Sequence, residues 1–307
     1  MRAGYPRPPR PNRPNLRRTA ARRPGPRGTR NPRVAADTAH RREPNPVRER
    51  GKRGPPAAVA PGVAHPLDNP LWTALTGPQA HLAERRGSAA RFPVDVSPFA
   101  AVDGTAADTR WIDLAALVGP GGVAVVPDAP VEPPPGWELQ QEIPGVQMEG
   151  SGLEPAPEPE AVVLGPADVP EMLDLVARTR PGPFLARTPE LGTYLGIRRG
   201  GALVAMAGER MRPPGWTEIS AVCTDPAHRG QGLAARLVRA VAVGIRERGD
   251  VPFLHAAADN HAGIALYERL GFTHRRDILF AALRADQRNE PNSDVMAAQW
   301  RSSAARS

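Results

Sequence analysis

Six consecutive residues, Arg229, Gly230, Gln231, Gly232, Leu233 and Ala234, place two glycines where the spacing of Leu233, Leu237, Val241 and Ile245 predicts the start of a helix. Without a Cβ at either glycine, several backbone N–H groups can converge on one point. Such a terminus binds phosphate, because unpaired N–H groups and the helix dipole both favour an anion. Arg229 adds positive charge. Glycine-rich turns before helices are common, so this loop carries weight only together with what surrounds it. Nearby, Glu218, Cys223, His255 and Tyr267 hold side chains that can move a proton or attack a carbonyl. Lys52 is the single lysine, which removes Walker-type loops and Schiff-base chemistry from the folded part. The single cysteine allows neither an internal disulfide nor a Cys-cluster zinc site, and no metal site is expected.

The elements that must position these residues read as an ordered alternation. The strand "EISAVCT" leads into the glycine loop and its helix, whose four spaced apolar residues dock it on a sheet. About 25 residues on, the strand "FLHAAA" runs into "DNHAGIALYERLGF", with Ile264, Tyr267 and Leu270 on one helix face and Gly271 ending the helix.

The two segments at this spacing resemble the GNAT superfamily of acyl-CoA-dependent N-acyltransferases: "RGQGLA" fits its cofactor signature and "N…ALYERLGF" its second conserved block. The resemblance covers residues 161–284 and implies acetyl-CoA as co-substrate and an amine as acceptor. It further implies that the main chain of Val222, Cys223 and Thr224 holds the pantetheine arm as an added strand. The N–H groups from Gly230 to Ala235 would then hold the pyrophosphate, with Asn260 touching the cofactor near the mouth of splayed strands. The bulge that splays such strands is not readable in the sequence. Tyr267 takes the family's role of protonating the departing thiolate, against the plainer reading of a core aromatic. For the general base two residues stand out. Glu218 shares the face of Val222 if no bulge intervenes, and His255 stands where some members carry a catalytic glutamate; a water-mediated or absent base is the third alternative. Cys223 reads as a small buried strand residue rather than a nucleophile. The segment "RTRPGPFLARTPELGTY", with Arg178, Arg180, Phe184, Leu185, Arg187 and Leu191, is expected to line the acceptor pocket.

The remaining chain divides by composition. Seventeen basic and three acidic residues fall in the first sixty, so the net charge of +8 belongs to an Arg/Pro-rich tail over 1–62, expected to be disordered. It reads either as a polybasic arm for nucleic acid or as an extension without function. Residues 63–150 are expected to form a small α/β lobe of unassigned role, with helices at Leu67–Leu75 and Trp111–Val118, the latter capped by Asp108. Strands are expected at 122–126 and 137–147. A Pro/Glu-rich linker at 151–160 separates it from a GNAT-like domain over 161–285, followed by a flexible tail over 286–307. The predicted fold class is α/β (α+β), a mixed, mostly antiparallel sheet flanked by helices. No apolar run reaches the ~18 residues of a membrane span, and no export signal is visible, so the chain is expected to be cytoplasmic, with no oligomeric state indicated. The leading function is direct acetyl transfer to a primary amine of a small molecule or protein. The rivals are a non-catalytic acyl-CoA-binding module and a nucleic-acid-associated protein acting through the tail.

Overall fold

The computed structural model describes residues 64–106, 109–130 and 132–287. The tail over 1–62, the tail beyond 287 and the Asp108 cap lie outside the described residues. In chain order the first elements are α1 (Pro70–Leu75), β1 (Glu84–Arg86), β2 (Ala89–Arg91), β3 (Ala100–Val102) and α2 (Thr109–Val118). There follow β4 (Val123–Pro127), β5 (Trp137–Glu149), β6 (Val162–Val163), α3 (Val169–Thr179), β7 (Tyr194–Arg199) and β8 (Ala202–Glu209). The chain continues through β9 (Trp216–Thr224), α4 (Leu233–Glu247), β10 (Val251–Ala257), α5 (His261–Arg269) and β11 (Thr273–Ala285).

Eight strands form one mixed sheet in the order β4-β11-β5-β10-β9-β8-β7-β6, and β1-β2-β3 form a small second sheet. Within the large sheet β9 and β10 run parallel, while the remaining pairs are antiparallel. The sheet is thus mostly antiparallel and flanked by helices. The β7–β8 hairpin turns at Gly200 and Gly201, whose φ values of 58° and 90° are the positive pair that a tight hairpin turn demands.

The expected boundary at 151–160 does not separate one sheet from another. β5 comes from the segment assigned to a separate lobe, yet it lies between β11 and β10 in the middle of the large sheet. Composition marks 151–160 as a linker, but its side chains are tied down: Glu158 pairs with Arg236 of α4 at 2.6 Å. Asp168 stands at the start of α3. Its carboxylate accepts from the Gly165 N–H at 2.8 Å and pairs with Arg198 at 2.6 Å, and no side-chain bond caps α3.

The core lies on both faces of the sheet. On one face α4 packs Leu233, Leu237, Val238, Val241 and Ile245 against Val204, Ile219 and Leu254, and Tyr267 joins the same cluster. On the other, α3 packs Met172 and Leu175 with Met206, Ala221 and Cys223. Beside them the N-terminal segment places Leu67, Leu71, Phe92 and Phe99 over Trp216, Phe253 and Phe280. Truncating Leu237, which is fully buried, to alanine should cost about 2–5 kcal/mol.

Candidate active site

The centre of the site is a split in the sheet. β9 and β10 pair only from Trp216/Val251 to Glu218/Phe253. Beyond that, β10 stays with β5 as far as Ala257/Gly145, and β9 stays with β8. Two irregularities belong to this divergence. Met206 aligns with Cys223 but Gly208 aligns with Ser220, so three steps on β9 face two on β8, which is a bulge. Ala221 sits in the bulge at φ 52°, a left-handed conformation that costs a non-glycine residue roughly 1–2 kcal/mol. Past the bulge, the edge of β9 turned toward β10 has no strand pairing among the described residues.

The bulge corrects one expectation. Glu218 does not share the face of Val222: the extra residue reverses the alternation, so Ala221 and Cys223 lie with the α3 cluster while Val222 packs against the α4 cluster. A one-residue insertion exchanges the faces of everything after it.

At the end of β9 the chain passes through the turn Pro226–His228 into the glycine loop. Gly230 and Gly232 have φ values of 77° and 73°, and a Cβ built on either would meet nothing within 4 Å among the described residues. Residues 229–232 are exposed, and α4 starts at Leu233 with no side-chain cap among the described residues and no acidic residue in its first turn. Its first N–H groups, including those of Ala234 and Ala235, therefore point outward under the positive end of a 15-residue helix. Arg229 bonds the Thr224 carbonyl through Nε at 3.3 Å, which sets its guanidinium beside the loop.

Tyr267 approaches from α5. Its ring packs edge-on against Phe272 at 5.8 Å, and burial together with the nearby Cys223 pushes its pKa up to about 12, so the phenol keeps its proton. Burial likewise raises the Cys223 thiol to about 11, which leaves it protonated and poorly nucleophilic. Asn260 is the N-cap of α5, accepting from the Gly263 N–H at 3.0 Å. Its oxygen is thereby committed to the helix, and its amide nitrogen is what remains for a ligand.

Glu218 and His255 meet on the opposite face from Tyr267, at the floor of the split. Glu218 is fully buried. It takes a two-pronged bond from Arg210, Nε to Oε2 at 2.8 Å and Nη2 to Oε1 at 2.6 Å, and lies 2.8 Å from His255 Nδ1. Burial would raise its pKa, but the Arg210 charge and the bonds from Arg210 and His255 outweigh it and hold the carboxyl at about 2. On the other side of the imidazole, Gln147 of β5 places its Nε2 3.1 Å from His255 Nε2. The N-terminal segment fastens this floor: the Leu67 carbonyl accepts from Gln147, Phe99 lies under the Arg210 guanidinium at 4.8 Å, and Gln79 bonds the Arg210 carbonyl at 2.8 Å.

Of the segment expected to line an acceptor pocket, Phe184 is buried edge-on to Tyr194 at 5.5 Å. Arg178 pairs with Asp225, and Arg187 pairs with Asp95 and Glu190, while Arg180 closes α3 in a left-handed conformation. An open cleft of about 400 Å³ lies beyond the end of β10, lined by Asp128, Gly145, Ala258 and Asp277, and contains none of the expected site residues.

The FR47-like protein family matches residues 194–281, from β7 into β11. A solved protein of the GNAT family from Novosphingobium aromaticivorans is 43% identical, with a TM-score of 0.67, covering 73% of this chain and all of its own. The chain belongs to the GNAT family. Among curated proteins, this GNAT chain is 40% identical over 82 residues, 26% of its length, to N-alpha-acetyltransferase RimI of Mycobacterium tuberculosis. It is 32% identical over 211 residues, 61% of its length, to an uncharacterized protein of Mycobacterium leprae. It spans about half of each, 51% and 55% respectively.

Two residues of the candidate site, Arg210 and Gln147, carry no signal in the sequence. One arginine among 39 carries no signal, and Gln147 stands on a strand expected in a different lobe. Their roles follow only from the strand order.

Proposed function

We propose that this chain transfers an acetyl group from acetyl-CoA directly to a primary amine. The observation that carries the reading is the continuity of one strand, one loop and one helix: the unpaired edge of β9 behind its bulge leads straight into an uncapped, glycine-lined helix start. Acetyl-CoA would supply an activated acyl carbonyl and a thiolate leaving group. The N–H groups from Gly230 to Ala235 would hold its pyrophosphate, and the main chain of Val222, Cys223 and Thr224 its pantetheine arm, with Asn260 at the mouth. An N–H on the same edge faces the charge that grows on the acyl oxygen. Tyr267, which stays protonated up to about 12, gives its proton to the sulfur as the C–S bond breaks and the C–N bond forms. The stretch shared with an N-alpha-acetyltransferase supports an amine as acceptor.

The test pairs calorimetry of acetyl-CoA with release of free thiol over a panel of amines. Binding with amine-dependent thiol release is expected. Binding without turnover by any amine would leave an acyl-CoA-binding module, and no binding would sink the reading.

A further inference from the structure

The amide of Gln147 has no freedom of orientation. Its Oε1 accepts from Arg275 Nη1 at 2.8 Å, and Arg275 can only donate. Its Nε2 lies 3.0 Å from the Leu67 carbonyl, which can only accept. Turning the amide over would set a donor against a donor and an acceptor against an acceptor, at a site where Gln147 is fully buried. Its second N–H is therefore aimed at His255 Nε2, 3.1 Å away. That nitrogen must present a lone pair, so the ring proton sits on Nδ1 and is donated to Glu218 Oε1 at 2.8 Å. Arg275 is itself held by Asp68 from the N-terminal segment. The charged or titratable groups around the imidazole are Glu218 on β9, Arg210 after β8, Arg275 on β11, and Asp68 and His65 on the N-terminal segment; Phe253 and Phe280 close it with ring edges at 5.6 and 5.4 Å.

We infer that Gln147 is a positioning residue that holds His255 as the neutral Nδ1–H tautomer with both ring nitrogens committed, so that the site offers no base to an ammonium group and takes its acceptor as the free amine. The inference rests on the acetyl-transfer reading above. Glu218 is equally committed, by two bonds to Arg210, one to His255 and the Met211 N–H. Protons balance with no base besides Tyr267 itself when the amine arrives uncharged: nitrogen loses one proton as the C–N bond forms, Tyr267 gives one to the departing sulfur, and its phenolate recovers the proton that nitrogen released. The consequence is a substrate class. At pH 7.5 an α-amino group with pKa about 7.7–8.0 is free in roughly a third of molecules, whereas a lysine side chain near 10.4 is free in about one in a thousand. Protonation alone then favours α-amines by about two orders of magnitude, before the greater nucleophilicity of the stronger base is counted.

Two measurements on the full chain decide it. Nitrogen-15 spectra of the histidine-labelled protein at pH 7.5, with His255 assigned by the loss of its signals in His255→Gln, should show a protonated Nδ1 and a bare Nε2. A ring protonated on Nε2 would overturn the inference whether or not any amine is acetylated, so its failure is separable from failure of the acetyl-transfer reading. The second measurement is log kcat/KM against pH for an alanyl peptide amide and for an Nα-blocked lysine amide. The limb should move with the acceptor, near 8 for the first and beyond 10 for the second; a common limb for both would contradict it. In Gln147→Leu, which frees Nε2, a limb independent of the acceptor should appear, a change that a merely structural glutamine would not produce.

Discussion

The two ends of β9 hold their chemistry in opposite ways. At one end the loop from Arg229 to Gly232 is exposed and built of backbone, with open space where two side chains would be. At the other, Glu218 is fully buried in a chain of side chains contributed by β5, β9, β10, β11, the segment after β8 and the N-terminal segment. The loop can yield to a ligand at little cost, because its N–H groups face solvent beforehand. The floor cannot, because the buried side chains of Gln147, Glu218 and His255 have already exchanged water for partners. Binding and rigidity are thus separated along a single strand, and substitutions at the two ends should have different signatures.

The largest effect is expected at the floor. Glu218→Gln leaves the Arg210 charge buried without its partner, which should lower unfolding stability in urea by about 3–5 kcal/mol. The pair Arg210→Met with Glu218→Gln should recover much of that loss. A loss in the single variant below about 1 kcal/mol, the scale of an exposed pair, would mean that the floor is no tighter than the loop.

Second in size is Tyr267→Phe, expected to slow thiol release about 10²-fold while leaving acetyl-CoA affinity within about twofold, because the phenol serves the leaving group and not the phosphate. Equal losses in both would make Tyr267 a packing residue of the α4 face.

The acid response sharpens the contrast further. The folded pKa of Glu218, about 2, lies below its ordinary 4.5, so the stabilisation it supplies is complete above 4.5 and is lost as the pH falls through that window. Thermal melts between pH 6 and 3 should show stability falling as the pH drops below 4.5, and Glu218→Gln should flatten that part of the curve.

Gly232→Val comes next. It forces a β-branched residue to φ 73° and fills the open loop, and is expected to weaken CoA binding by at least tenfold in calorimetry at a stability cost of about 1–2 kcal/mol. The smallest change is Tyr194→Phe. The Tyr194 hydroxyl is buried with no hydrogen-bond partner among the described residues, so its removal should leave the urea midpoint unchanged or raise it slightly.

The same contrast explains what was legible in the sequence. The loop, α4 and α5 were readable because glycine placement and apolar spacing are local. The β7–β8 turn is local in the same way, resting on the positive φ of Gly200 and Gly201. The bulge at Ala221 was not readable, since nothing in "EISAVCT" marks an alanine that must adopt a positive φ. Nor was the place of β5: whether a strand pairs inside a sheet or in another lobe depends on contacts across more than a hundred residues, such as Phe253 with Glu149. With β5 misplaced, Gln147 was invisible, and Glu218 and His255 looked like free bases rather than members of a closed network.

Amide hydrogen exchange of the full chain with and without acetyl-CoA distinguishes a binding loop from a rigid floor. Slowing of at least tenfold is expected at Gly230–Ala235 and along the open edge of β9 from Val222 to Thr224, with little change at Gln147, Glu218 and His255, whose groups are already paired. Binding that protects the floor and leaves the loop unchanged would contradict the account.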